Sequence, residues 1–259
     1  MQFFNLPITF SPLVNHAIPT FVARVNADEY LLFAQTAKQN QRRLVSLWGV
    51  DCRQTEGVFL LQSAFDLVEG LVCLALAINE KDLTFPDISP FFFFFNRLQR
   101  AAFDMLGIAA KYGDKRPWLR HANWDKNYFP LRFDAPHQTP EAFPLQNERY
   151  DFVQVIGQGV HEIPVGPIHA GIIEPGQFRF SVVGERVLRL EERLGWKHKG
   201  ISRRFIGMNL DEGARLAGRI SGDSTVAFSF SFAQAAENLC QTQIPSRASF
   251  LRAILLERE

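Results

Sequence analysis

Val58-Phe-Leu-Leu-Gln-Ser-Ala-Phe-Asp-Leu67 and Leu71-Val-Cys-Leu-Ala-Leu-Ala-Ile78 are two apolar runs with a short polar break between them. Runs of this length, broken by a turn signal, read as neighbouring strands, and Glu69-Gly70 predicts the hairpin turn that joins them. Working upstream, Leu44 to Leu47 is extended and apolar, and Ile18 to Val25 is strand-like. Asn26 then caps a helix whose apolar positions Ala27, Tyr30, Leu31, Ala34 and Ala37 follow helical spacing. Downstream, Ser89-Pro90 supplies an N-cap and a first-turn proline for a helix that closes at Gly107. Phe91 to Phe95 opens that helix, with Phe91, Phe94 and Phe95 on one stripe with Leu98, Ala102 and Met105. Phe92 and Phe93 are left over, and either one exposed marks a protein interface. The order strand, helix, strands, helix predicts an α+β fold that begins with an α/β sandwich.

A proline-punctuated stretch carrying Pro136, Pro140 and Pro144 separates this region from a second one. The expected division is a domain at 1–135, a linker at 136–149 and a second domain at 150–259. In the second domain Phe152 to Ile156, Phe178 to Val183 and Arg186 to Leu190 read as strands, the last two joined by a Gly184-Glu185 hairpin. Helices follow at Asp211 to Arg219, Asp223 to Leu239, and from about Ser246. The last places Ala248, Leu251 and Leu255 on one face and reaches Glu259 with no C-cap, which raises the expectation of a continuation.

Composition narrows the function classes. With 259 residues, 47% hydrophobic and 21% charged, the chain has the material for a full core. Lys plus Arg is 28 against 27 Asp plus Glu, so no bulk charge points to nucleic acid or an anionic membrane. The run Leu71 to Ile78 is far short of the roughly 20 apolar residues a spanning helix needs. No basic n-region with an apolar run marks a secretory signal at Met1 to Asn5. Cys52, Cys73 and Cys240 are scattered and form no C-x-x-C, which suits a reducing compartment and supplies no cysteine-rich metal site.

Gly157-Gln158-Gly159 begins like a dinucleotide fingerprint, but Glu162 stands where the third glycine belongs. Neither a phosphate-binding P-loop nor a G-x-S-x-G elbow occurs. His16, His121, His137, His161, His169 and His198 fit no zinc spacing. Lys197, His198, Lys199, Arg203 and Arg204 form a basic cluster that reads as a solvated face.

Ile163-Pro-Val-Gly-Pro-Ile-His-Ala-Gly171, Glu174-Pro-Gly-Gln-Phe-Arg-Phe180, Gly184-Glu-Arg-Val-Leu188, Leu194-Gly-Trp-Lys-His-Lys-Gly-Ile201 and the run Leu210 to Thr225 occur in order. Together they resemble the start of the large subunit shared by energy-converting [NiFe] hydrogenases of the formate hydrogenlyase type and by NADH-quinone oxidoreductase, where it is the D-type subunit. Phe85-Pro-Asp-Ile-Ser89, Asp104, Gly107, Trp118-Leu-Arg-His121, Trp124 and Pro130-Leu-Arg132 resemble the C-type subunit of NADH-quinone oxidoreductase. Gln99 and Ala101 stand where that family usually carries acids.

The resemblance implies a C-like domain fused ahead of the sheet and first helices of a D-like domain, within a peripheral subunit of a membrane-bound oxidoreductase complex. It also implies a cytoplasmic place on the inner face of the cell membrane, with iron-sulfur subunits and membrane subunits as partners. Clusters and quinone then belong to the assembled complex, with no cofactor bound by this chain. Its hydrogenase relatives bind nickel and iron through thiolates of an R-x-C-x-x-C motif; Ser221 and Ser224 stand at those positions, so no metal centre is expected here. In the D-type family the vacated cavity receives a quinone headgroup, and by that resemblance His169 is the candidate catalytic proton donor. Gly222 stands at the family's tyrosine and Ser202 at its glutamate. Without partners the chain is expected to be non-catalytic. The alternatives are a degenerate scaffold subunit, in which His169 only ties its loop and Ser221 and Ser224 are helix N-caps, or a piece of a longer large subunit.

Overall fold

The hairpin expected from residues 58–78 lies at the heart of the first unit. In a computed structural model, which describes residues 1–13, 18–120, 124–136, 151–171 and 173–259, the chain divides into two compact units, Met1–Phe143 and Pro144–Glu259. The linker expected over 136–149 lies, beyond Pro136, outside the described residues, as do His16, His121 and His137.

The first unit contains β1 (Ser11–Leu13), β2 (Thr20–Val25), α1 (Ala27–Gln39), β3 (Arg43–Cys52), α2 (Arg53–Glu56), β4 (Val58–Leu67) and β5 (Gly70–Asn79). It continues with β6 (Thr84–Pro86), α3 (Asn96–Leu106) and β7 (Ala109–Lys111). Its main sheet runs β1-β2-β5-β4-β3, antiparallel except for the parallel β2–β5 seam, and β6 and β7 form a small parallel pair. β4 buries Phe59, Leu61, Phe65 and Leu67 on one face and Leu60 and Ala64 on the other, so it reads as apolar throughout rather than alternating. Leu67 pairs with Gly70, which makes Val68-Glu69 the turn instead of Glu69-Gly70. Gly70 is instead the first strand residue; its φ of 134° and a position where a Cβ would come within 2.1 Å of the Pro19 carbonyl oxygen require glycine.

Asn26 caps α1 through a complete capping box with Glu29, both bonds 2.9 Å. The helix buries Tyr30, Phe33, Ala34 and Ala37, with Leu31 at the edge; Phe33 joins Tyr30 as a large inward residue in place of Leu31. Phe33 joins Phe3, Phe10, Phe65 and Phe92 in a chain of edge and tilted ring contacts with centroids 5.1–5.8 Å apart.

The helix expected from Ser89-Pro90 starts only at Asn96. Ser89 does not cap it: its Oγ donates to Asp87 Oδ2 at 2.9 Å, forming a local turn, and a 3-10 turn follows at Phe93–Phe95. The tighter winding breaks the expected stripe. Phe92 turns inward onto Phe65, while Phe93 and Phe94 stand 77% and 76% exposed.

Residues of the C-like signature brace the sheet. Asp104, on α3, accepts the backbone N–H groups of Trp118, Leu119 and Arg120 at 2.8, 2.7 and 3.2 Å. Arg100 donates to the carbonyls of Arg116 and Pro117, and Arg132 Nε to that of Leu106 at 2.7 Å. Gln99 explains its own departure from the family's acid: buried, it accepts from the Ile88 N–H at 3.1 Å and donates to Asp87 at 2.8 Å. A neutral amide does both at once, whereas an ionised carboxylate could only accept and would face Asp87 charge to charge.

Arg53 ties the end of this unit to β3. It pairs with Asp51 at 2.8 Å, Glu80 at 2.9 Å and Asp134 at 2.6 Å, and its guanidinium lies between the rings of Phe59 and Phe133. Burial works against the charged form of Asp51, but hydrogen bonds from Arg53 and from the Phe133 and Arg53 N–H groups outweigh it and hold the carboxyl below its ordinary 3.8. The Arg53 hydrogen bond likewise lowers Asp134. Both carboxyls therefore bind protons more weakly folded than unfolded. Their contribution to stability is complete above the ordinary carboxylate range and is lost as pH falls through the depressed values. Urea midpoints are expected to be flat from about pH 7 to 5 and to decline below about pH 4. Arg53→Met should flatten that acid limb; an unchanged limb means that these pairs do not carry it.

The second unit contains β8 (Val160–Val165), β9 (Gln177–Val183) and β10 (Arg186–Arg193) in an antiparallel sheet ordered β10-β9-β8. Four helices follow among the described residues: α4 (Ile201–Phe205), α5 (Leu210–Ala217), α6 (Thr225–Cys240) and α7 (Ser246–Arg258). Gly184-Glu185 forms the expected β9–β10 turn, with Val183 opposite Arg186. Residues 152–156 are not a strand: Phe152 lies under the Arg179 guanidinium and the Val153 N–H bonds to Glu191. The third strand is instead β8, whose polar His161-Glu162 and Pro164 hide the pattern and are tolerated at a sheet edge. The α+β class holds through both units.

Candidate functional site

The loop between β8 and β9 carries His169. It leaves β8 through Gly166-Pro167, and the Gly176 N–H closes its neck on the Pro167 carbonyl at 2.9 Å. Gly166, at φ 87°, comes so close that a Cβ would lie 2.1 Å from the Gly176 carbonyl oxygen. This neck lifts His169 into an exposed position with its ring edge-on to Phe178, centroids 5.6 Å apart. Among the described residues no hydrogen bond engages either of its ring nitrogens.

The far side of the loop is anchored through charge. Glu174 pairs with Lys197 at 2.5 Å and Lys199 at 3.1 Å, and Lys199 also donates to the Ile220 carbonyl at 2.6 Å. Part of the basic cluster is therefore a clasp rather than a solvated face. It connects the His169 loop to the residue before Ser221. The sequence signal was present in Glu174 and Lys199, which both lie within the D-like motifs.

Ser221 and Ser224 sit at helix starts, as N-cap positions of the 3-10 turn Gly222–Ser224 and of α6, but neither side chain makes a cap bond. Thr225 Oγ1 instead donates to the carbonyls of Ser221 and Gly222. Gly222 has open space where a side chain would stand, so the fold does not require glycine there. α5 and α6 pack through Gly213, whose Cβ position lies 2.7 Å from the Phe232 ring, and Phe205 stacks on Phe232 at 5.7 Å. Ser202 is exposed on α4.

A nickel-iron centre does not fit this donor set. Ser221 and Ser224, where the resemblance puts thiolates, offer neutral hydroxyls, which are poor ligands for nickel and iron. Burial pushes the Cys73 thiol up; burial and then Glu56 and Asp51 push Cys52 up, so neither favours the thiolate form that metals take.

The domain braced by Asp104, Arg100 and Arg132 and the unit carrying the glycine-necked histidine loop were each compared with known proteins. Residues 23–141 match the family described as respiratory-chain NADH dehydrogenase, 30 Kd subunit. Formate hydrogenlyase subunit 5 of Escherichia coli (strain K12) is 29% identical over 226 residues, covering 82% of this chain and 39% of that protein. Hydrogenase-4 component G of the same strain is 29% identical over 233 residues, covering 85% and 41%. The D-type subunit of NADH-quinone oxidoreductase from Campylobacter curvus (strain 525.92) is 32% identical over 124 residues, covering 48% and 29%. These matches support a fused C- and D-like arrangement similar to proteins of the complex I and hydrogenase type. The chain spans about two fifths of the length of the two E. coli relatives.

Proposed function

We propose that the chain is a peripheral subunit of a membrane-bound oxidoreductase complex of the NADH-quinone oxidoreductase or formate hydrogenlyase type, acting where electrons pass to a quinone or related acceptor. The names of its relatives support membership of an oxidoreductase complex, and no described helix is long and apolar enough to cross a membrane itself. Iron-sulfur subunits would deliver the electrons, membrane subunits would hold the assembly at the inner face, and His169 would face the acceptor. The observation that carries the proposal is the Gly166–Gly176 neck, which presents an exposed imidazole whose ring nitrogens have no hydrogen-bond partner among the described residues. Two electrons from the partner clusters reduce the quinone; a protonated imidazole gives one proton to a quinone oxygen, the second proton comes from solvent, and solvent reprotonates the ring.

In the purified complex His169→Ala is expected to lower quinone reductase activity by about 100-fold. Gly222→Tyr places a phenol where the related subunits have one and is expected to raise activity. Unchanged activity in both variants removes His169 from the chemistry. The scaffold reading would then stand, favoured by Ser202, Ser221, Gly222 and Ser224 together, and a quinone analogue would fail to bind the complex.

A further inference from the structure

The near-zero net charge of the chain hides a local asymmetry. Residues 89–132 carry eight Arg or Lys against three Asp and no Glu, a surplus of five. Three of these cations serve the fold: Arg100 and Arg132 donate to backbone carbonyls, and Arg120 faces the buried Asp104. Arg116 is matched by Asp114 at 2.7 Å. Arg97 and Lys115 are exposed, and neither has a carboxylate partner among the described residues.

These cations flank the two phenylalanines that the core leaves out. Phe93 and Phe94 meet edge to face at 6.0 Å on the 3-10 turn before α3. Arg97 follows them by four and three residues through a continuous right-handed turn, which puts it on their side. Its guanidinium lies 5.4 Å from the ring of Trp118, itself 41% exposed, and the same loop carries Lys115 and Arg116. That loop is fixed to α3, since Asp104 accepts the Trp118 N–H and Arg100 binds the Arg116 and Pro117 carbonyls. Two phenyl rings, a free cation, an indole and a second free cation therefore form one strip on a rigid support.

The mixture decides what suits the strip. An acidic peptide would answer the cations and leave the phenyl rings in water. A purely apolar protein face would cover the rings and desolvate Arg97 and Lys115 without a partner. A second copy of the chain would set the same positive patch against itself. An anionic bilayer answers both features: rings enter the acyl boundary while the cations and the indole stay at headgroup level. We propose that Phe93 and Phe94, with Arg97, Lys115 and Trp118, form a direct contact for an anionic phospholipid bilayer. This goes beyond the peripheral-subunit reading and needs neither His169 nor any redox role.

The test floats the full chain with lipid vesicles in a density gradient. On vesicles of phosphatidylglycerol in phosphatidylcholine at about 50 mM salt the chain is expected to float; on phosphatidylcholine alone, or at about 500 mM salt, binding should fall at least about tenfold. Phe93→Ser with Phe94→Ser should weaken binding at least about tenfold while the thermal transition of the first unit stays in place. Arg97→Gln with Lys115→Gln should cost about fivefold for each charge removed. Amide exchange at residues 93–97 and 115–118 should slow on the vesicles. Binding indifferent to lipid charge, or binding that survives loss of both phenylalanines, would overturn the proposal. So would binding that is abolished instead by Ile254→Glu with Leu255→Glu, two residues exposed on α7. Absence of vesicle binding, with polyglutamate captured through the cations alone, would overturn it in favour of an acidic peptide. All of these are read on the isolated chain, apart from the His169→Ala result, which is read as activity in the assembled complex.

Discussion

Asp104→Ala is expected to destabilise the first unit by about 3–5 kcal/mol. Asp104 is 1% exposed, and its Oδ2 alone accepts three consecutive N–H groups while Arg120 stands 3.7 Å from Oδ1. Alanine leaves the three N–H groups without their acceptor and removes the negative charge facing Arg120, whose guanidinium keeps only carbonyl partners at Asp125, Lys126 and the Asp104 backbone. The loss should appear as a lower urea midpoint at unchanged slope, with amide exchange at residues 118–120 accelerating first. Asp104→Asn keeps an acceptor oxygen and should recover part of the loss. A cost below about 1 kcal/mol, the net worth of one ordinary hydrogen bond, would show that the loop is held by other contacts.

Phe33→Ala should cost a similar 3–5 kcal/mol by a different route. The ring is fully buried and touches Phe4, Phe10 and Phe65 at centroid distances of 5.2–5.7 Å. Removing it opens a cavity where α1 meets the sheet, and the surrounding rings are too rigid to close it. Leu31→Ala, on the rim of the same helix, should stay within about 0.5 kcal/mol. If the two variants lose equal stability by thermal unfolding, the assignment of the inward face is wrong.

That contrast shows where sequence reading succeeds and where it stops. The 58–79 hairpin and the capped start of α1 were legible because local chemistry and burial agree there: continuous apolar strands with a polar break, and Asn26 with Glu29 three residues on. The start of α3 was not, because Ser89-Pro90 is an equally good beginning for a turn, and Asp87 captures the serine. β8 escaped notice for the opposite reason. It lies at a sheet edge, so burial imposes no pattern on it, and its proline removes the usual signal. In the candidate site, motif resemblance singled out His169, Ser221 and Ser224, but the Glu174–Lys199–Ile220 clasp depends on residues far apart in sequence whose charges looked merely solvated. Resemblance also identified Gln99 as a departure; only its two hydrogen bonds explain why an amide suits that place.

The β2–β5 seam has a consequence for the order in which the first unit forms. β4 and β5 are joined by two residues and can zip up locally, on the microsecond scale of hairpins. β2 must instead find β5 across some fifty residues, Thr20 opposite Leu71, in parallel register. The entropy of closing that loop is spent before any of its backbone bonds are made, so the seam is expected to be the slow step of folding. Substitutions on β4 that spoil the hairpin should slow refolding, whereas those confined to β2 should mainly speed unfolding.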